Sequence, residues 1–260
     1  MAYKTVGFEI DERGIAKLSL RRPEHFNAFN KQMVRECVEI LGEVNRDPRI
    51  KVLVITGTGG AFSAGGDISW LIESKHVLQK KEIMDYTTEL MLSLDRIKRP
   101  IIASVNGVAA GAGTAVILAC DIIIASDNAK FAPNFVSIAA VPDSGCSWFL
   151  PRKIGYHRAC ELLFTGRVLS AREAYEMGIF NTLVSPETLE EATDRLAHQL
   201  ACGPLRALEY IKAMLKMSYK NDLRSQLDIE AYYQVMAWSD PDFQEGVQAF
   251  FEKRKPNFNP

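Results

Sequence analysis

The chain opens on two short runs of alternating apolar and polar residues, Val6 to Ile10 and Ile15 to Leu20, separated by Asp11-Glu12-Arg13-Gly14. A turn whose glycine tolerates positive φ between two such runs predicts a hairpin. From Lys31 to Val44 the residues Met33, Val34, Cys37, Ile40, Leu41 and Val44 recur at three- and four-residue intervals, which predicts a helix. Val52 to Thr56 is short and β-branched, the pattern of a buried strand, and it runs into a glycine-rich loop from Gly57 to Gly66. A helix is predicted from about Lys80 to Ile97, and Pro100 stops it.

The alternation then repeats. Ile101 to Val105 reads as a strand, Gly107 to Gly113 as a glycine-rich turn, Thr114 to Ala119 as a helix and Ile122 to Ala125 as another strand. Strands alternating with helices predict an α/β architecture with parallel pairing. Beyond Ala171 the pattern is helical alone: Ala171 to Met177, Glu187 to Leu200, Pro204 to Lys216, Leu223 to Trp238 and Pro241 to Phe251. The expected division is an α/β body over residues 1–200 and a helical region over residues 201–260, with the boundary near Ala201-Cys202-Gly203-Pro204.

Composition narrows the possible partners. Lys plus Arg number 31 against 32 Asp plus Glu, a net charge of −1, so a nucleic-acid partner, which calls for a concentrated basic field, is not expected. The five cysteines are dispersed without C-x-x-C spacing, a poor disulfide framework and a poor zinc site, and they suit a reducing compartment. The four histidines show no i, i+4 pair, so no metal is expected. No run approaches the roughly 18 apolar residues of a membrane span. The opening Met-Ala-Tyr-Lys-Thr-Val lacks the apolar stretch of a secretory signal, and Asn257 to Pro260 match no lipidation or peroxisomal address. A cytoplasmic location is expected, without membrane attachment.

There is no phosphate-binding G-x-x-x-x-G-K-[ST] loop and no G-x-S-x-G elbow. Cys146 and His157 read as a packing residue and a polar helix opening rather than a nucleophile and its base. The glycine loops Ala61-Phe-Ser-Ala-Gly-Gly-Asp67 and Gly107-Val-Ala-Ala-Gly-Ala-Gly113 carry more chemistry. Each follows a strand, and each offers unpaired backbone N–H groups without Cβ atoms to block a ligand. Two such groups converging on one oxygen make an oxyanion hole, and tight strand-to-helix packing is the other use of the same glycines.

Further landmarks accompany these loops: Leu20-Arg-Arg-Pro23 with Asn27-Ala28, Lys98-Arg-Pro-Ile-Ile-Ala-Ser-Val-Asn-Gly107, Cys120-Asp121, Leu163-Phe-Thr-Gly166, Ala171 to Gly178, and Glu245 to Pro256. In this order and spacing the chain resembles the crotonase, or enoyl-CoA hydratase/isomerase, superfamily over essentially its whole length. The resemblance implies a spiral of ββα units with a helical C-terminal trimerisation region. It implies trimers or dimers of trimers, and an acyl-CoA thioester substrate, with coenzyme A part of the substrate and no separate cofactor. It places the thioester oxygen between the N–H groups of Gly66 and Ala112, the Ala64 carbonyl beside the adenine, and Arg22 to Phe26 along the nucleotide. Asp67, Ile68, Gly111, Phe135 and Trp70 complete the expected substrate-binding set. Loops such as Ser69 to Lys81 are expected to shape the acyl pocket, and Lys253, Arg254 and Lys255 are candidate phosphate contacts against the alternative of a solvated tail.

Typical hydratases of the family carry two glutamates, and their positions here hold Ala115 and Phe135. What remains is Asp143, in Val141-Pro-Asp-Ser-Gly145, where some isomerases of the family, including those resembling 1,2-epoxyphenylacetyl-CoA isomerase, carry their acid/base. The residues alone admit a cap on a helix beginning at Ser144. The resemblance favours catalysis, with Phe135, Val136 and Val141 desolvating the carboxylate. The expected reaction moves a C=C bond from 3-enoyl-CoA to 2-enoyl-CoA. The alternatives are hydration of an enoyl-CoA or cyclic dienoyl-CoA, or a non-catalytic acyl-CoA-binding module. Aryl dehalogenation is disfavoured, since the His and Trp of those relatives correspond here to Thr88 and Phe135.

Overall fold

The computed structural model describes residues 3–258, so Met1, Ala2, Asn259 and Pro260, which belong to the terminal segments read above, lie outside it. The hairpin forms as β1 (Val6–Ile10) and β2 (Ile15–Leu20), followed by α1 (Lys31–Arg46) and β3 (Val52–Gly57). The first glycine loop contains a short strand, β4 (Ala61–Ser63), before α2 (Ile68–Glu73) and α3 (Val77–Asp95). Then come β5 (Ile101–Val105), β6 (Val108–Ala110), α4 (Ala112–Ala119), β7 (Ile122–Ser126) and β8 (Lys130–Ala132). The chain continues through α5 (Cys146–Ile154), α6 (Tyr156–Thr165), β9 (Leu169–Ser170), α7 (Ala171–Glu176), β10 (Thr182–Val184) and α8 (Leu189–Ala201). It closes with α9 (Leu205–Ser218), α10 (Leu223–Trp238) and α11 (Pro241–Glu252).

Two sheets organise these elements. The larger has the order β1-β2-β3-β5-β7-β10 and the smaller β4-β6-β8-β9. The pairs β3/β4, β5/β6 and β7/β8 each give their first strand to the large sheet and their second to the small one. Each turn of chain therefore advances both sheets by one strand, which is the expected spiral. The strands β2, β3, β5, β7 and β10 run parallel, and the hairpin adds β1 antiparallel at one edge.

The strand pattern explains the layering. In β3, Leu53 and Ile55 point into the main core with α1, α3 and α4, whereas Val52 and Val54 pack on the opposite face against Leu189, Ala192 and Ala197 of α8. The same alternation runs through β5 and β7. Both faces are covered, so these strands read as continuous apolar runs. In α1 the whole predicted apolar set is buried, and Asn30 caps the helix by accepting from the Met33 amide at 2.9 Å.

Polar contacts dock the C-terminal helices. The Lys212 ammonium on α9 donates to Asp121 Oδ2 at 2.6 Å and to the Arg99 carbonyl at 2.8 Å, and Asp121 Oδ2 also accepts from the Ile101 amide. Cys120-Asp121 and Lys98-Arg99-Pro100 thus serve as the seat of α9. The helix break falls at Cys202 to Pro204, between α8 and α9. Among the described residues no helix is long and apolar enough to cross a membrane.

Candidate active site

The two glycine loops come together at the ends of β4 and β6. A Cβ on Gly65 would lie 2.8 Å from the Ala110 carbonyl oxygen and 3.0 Å from the Ala112 amide nitrogen, and Gly65 has φ +91°. Only glycine meets both demands. Gly111, at φ +47°, opens α4, so Ala112 is the first residue of a helix whose N-terminal dipole faces this point. Among the described residues neither the Gly66 nor the Ala112 amide donates to an acceptor of the chain. Two free N–H groups on adjoining loops are the feature an oxyanion hole requires.

A buried polar network fixes the first loop. Asn27 is 0% exposed, and its amide donates to the Thr58 and Ala61 carbonyls, both at 2.8 Å, while its Oδ1 accepts from the Arg22 amide. Ser63 Oγ donates to the Asn27 carbonyl and accepts from the Gly65 amide. The Phe29 amide donates to the Gly65 carbonyl at 2.7 Å, and the Asp67 amide donates to the Phe29 carbonyl at 2.9 Å. These bonds were not legible in the sequence. Asn27 stood out only as part of a landmark, and its partners lie 31 and 34 residues away.

A cavity of about 190 Å³ opens beneath the loops. Ala64, Gly66, Ile68, Trp70, Gly111, Ala112, Phe135 and Asp143 all line it, so the structure brings together most of the residues expected from sequence. Three of the residues read as substrate contacts stand off this cavity. Asp67 does not line the cavity: its carboxylate caps α2 through the Ser69 amide and pairs with Arg22 at 2.9 Å, and against the partial burial that would raise it these partners hold its pKa below the ordinary carboxylate range. Arg22 is itself buried in that pair and donates to the Ala28 carbonyl at 2.6 Å. Phe26 is 66% exposed and lies outside the cavity, with its carbonyl accepting from the Ala64 amide.

The rest of the wall comes from places the pattern did not single out. Ile83, Met84, Thr87, Leu90 and Met91 of α3 form one side, and Val116 of α4 and Ile138 another. The pocket is therefore shaped by α3 beyond Lys81 together with Trp70 and Leu71, and the Ser69 to Lys81 stretch that supplies these two is mostly helix, α2 and the start of α3, rather than loop. Of the three apolar neighbours expected around Asp143, only Phe135 lines the cavity. Val136 and Val141 are exposed. Ala115 is fully buried in the core beside Val116.

Asp143 is the one carboxylate on the cavity wall among the described residues. It does not cap a helix: α5 begins at Cys146 with Gly145 as its cap, and no side chain caps it. The Asp143 carboxylate instead accepts a hydrogen bond from the Ser144 hydroxyl at 2.8 Å. Burial pushes its pKa above the ordinary value of an aspartic acid, and the bond from Ser144 acts in the opposite direction. Beneath it the Cys146 thiol is fully buried and pushed up to about 11, so it packs as a small apolar residue. Of the three C-terminal cations, Arg254 is engaged by Glu245 and Glu252.

The arrangement offers two backbone donors, one desolvated carboxylate and an apolar cleft between them. Residues 11–260 match the family model described as enoyl-CoA hydratase/isomerase. The chain is 39% identical to a 1,2-epoxyphenylacetyl-CoA isomerase of Escherichia coli strain K12, over 95% of each chain. It is 33% identical to a trans-2-decenoyl-[acyl-carrier-protein] isomerase of Streptococcus mutans, over 99% of each. A solved enoyl-CoA hydratase from Bacillus anthracis superposes with a TM-score of 0.94 at 31% identity, over 98% of this chain and 99% of that one. The match to the family model spans nearly the whole chain and the spiral is the fold of its solved relatives, so the chain belongs to the enoyl-CoA hydratase/isomerase, or crotonase, family.

Proposed function

We propose that this enzyme shifts the double bond of a 3-enoyl-CoA to the 2-position, with Asp143 as its single acid/base. The observation that carries the reading is that Asp143 is the one carboxylate on the cavity wall, desolvated, beside Phe135 where a hydratase of the family has a glutamate. Adding water across the double bond calls for two carboxylates to position and activate it. Moving a proton along one face of an acyl chain calls for one.

The thioester oxygen accepts from the Gly66 and Ala112 amides. Asp143 takes the proton from C2, and the C–H electron pair passes into a dienolate whose charge rests on that oxygen. The proton on Asp143 then bonds to C4, and a C2=C3 double bond remains. A carboxyl whose pKa is raised suits both roles, because its carboxylate is a stronger base toward C2 while its acid form can still return the proton at C4. The Ala64 carbonyl, Ile68 and Trp70 sit at the cavity's edge and wall, where they contact the substrate. Self-association as a trimer or a dimer of trimers accompanies this reading. It is supported by the exposed apolar residues of α9 to α11, among them Leu215, Leu227, Val235, Phe250 and Phe251.

The test is incubation with 3-hexenoyl-CoA while following the absorbance of the conjugated thioester, alongside 2-hexenoyl-CoA followed for its loss. Conversion of the first without consumption of the second supports isomerisation. Consumption of the second at a comparable rate replaces the reading with hydration, and binding without turnover of either replaces it with an acyl-CoA-binding module.

A further inference from the structure

The segment that presents Asp143 is a tight turn in a conformation few side chains adopt. The Cys146 amide donates to the Asp143 carbonyl at 2.8 Å, and the two central residues have positive φ: Ser144 at +53° and Gly145 at +78°, with ψ +7° at Gly145. This is a type I′ turn, whose central positions favour glycine, asparagine or aspartate. Glycine occupies the second. The first holds serine, which pays a conformational cost that glycine would not. A strained non-glycine residue adjacent to the proposed acid/base calls for a reason, and the side chain supplies one. The Ser144 hydroxyl donates to Oδ1 of Asp143 at 2.8 Å, and among the described residues the carboxylate has no other hydrogen-bond partner. Ser144 lines the cavity as well.

Resting on the role proposed for Asp143, we infer that Ser144 is a positioning residue: its hydroxyl anchors Oδ1 and leaves Oδ2 as the oxygen that exchanges the proton with C2 and C4. A lone carboxylate in an apolar cleft has free rotation about its side-chain bonds. One donor at Oδ1 removes that freedom and sets which oxygen meets the substrate. The same bond stabilises the ionised form and so opposes the rise that burial causes. The other titratable groups around the turn are few. The Cys146 thiol lies below and is neutral. Across a neighbouring cavity that shares Met91 and Ser144 with the first, Asp95 on α3 pairs with Lys216 on α9 at 2.9 Å, and Lys220 follows the end of α9.

The experiment compares the full-length wild type with Ser144→Gly and Ser144→Ala. Asp143 is titrated directly by carboxyl carbon NMR, its resonance assigned by its loss in Asp143→Asn, and the pH dependence of kcat/KM with 3-hexenoyl-CoA is measured in parallel. Both variants should raise the Asp143 midpoint and the acid limb of the profile by about one pH unit. The loss should fall in kcat, with KM changed less than twofold. Ser144→Gly should melt higher than Ser144→Ala, because glycine takes φ +53° without strain, so the more stable variant is as impaired as the less stable one. If the midpoint and the limb stay put in both variants, Ser144 only shapes the turn and the inference is wrong. If the wild type turns over no 3-enoyl thioester but the NMR midpoint still moves in the variants, the isomerase reading fails and the coupling of Ser144 to Asp143 stands.

Discussion

The two sides of the cavity are built on opposite principles. In the proposed reaction, the chemistry on the side of Gly66 and Ala112 belongs to the backbone, and side chains hold it in place. Asn27, Ser63 and the close approach of Gly65 to Gly111 hold the two loops together and leave the Gly66 and Ala112 amides without an acceptor in the described chain. On the side of Asp143, the same proposal gives the chemistry to one side chain on a strained turn, with a single hydrogen bond to orient it. The first side is over-determined and can serve any reaction that builds charge on a thioester oxygen. The second decides which reaction that is. A family can keep the first and vary the second, and the replacement of two expected glutamates by Ala115 and Phe135 is a variation of that kind.

Substitutions can set the two sides against each other. The largest effect is expected from Asp143→Asn, which removes the acid/base without altering shape. It should lower kcat with 3-hexenoyl-CoA about a thousandfold, with binding of the CoA ester nearly intact by calorimetry. Retention of most turnover would take Asp143 out of the mechanism. Next comes Gly65→Ala, the way to reach a backbone donor by mutation. Its Cβ would sit 2.8 Å from the Ala110 carbonyl oxygen and 3.0 Å from the Ala112 nitrogen, pushing the two loops apart. We expect about a hundredfold loss in kcat together with a lowered melting temperature. Activity near wild type would mean that the loop spacing does not matter.

Asn27→Ala should act on stability first. It leaves the Thr58 and Ala61 carbonyls and the Arg22 amide without their partner in a buried site, and it places alanine at φ +56°. A loss of about 3 kcal/mol in a denaturant titration is expected. The smallest effect sharpens the contrast from the other direction. Burial raises the Asp143 carboxyl, so the folded state binds its proton more tightly than the unfolded state. Its ionisation therefore costs stability as pH rises from the unfolded toward the folded value, and the cost persists above it. Asp143→Asn should accordingly melt slightly higher than wild type at pH 7, and the difference should vanish near pH 3. A lower melting temperature at pH 7 would mean that the carboxylate is structural.

These contrasts also explain what could be read from the chain beforehand. The spiral was legible because β3, β5 and β7 are continuous apolar runs and α1 carries an apolar stripe, both local patterns. The meeting of Gly66, Ala112 and Asp143 on one cavity wall was legible through family motifs of fixed spacing. The exposure of Val136 and Val141 and the pairing of Asp67 with Arg22 were not legible, because they depend on where distant segments pack. Neighbours in sequence turn out to face solvent, while Ile83, Met84 and Leu90 of α3 supply the apolar wall. The capping role open to Asp143 gave way because Ser144 and Gly145 turn the chain before α5 begins. Positive φ at a serine leaves no trace in a hydrophobic pattern.

The central claim is that one carboxylate carries the same hydrogen from C2 to C4. It is tested most directly with 3-hexenoyl-CoA deuterated at C2, converted in ordinary water and analysed by mass spectrometry and NMR. A desolvated single base predicts that part of the deuterium reappears at C4 of the conjugated product, and that Asp143→Asn forms essentially no product. Product carrying only solvent hydrogen at C4, formed at an undiminished rate by Asp143→Asn, would contradict the account.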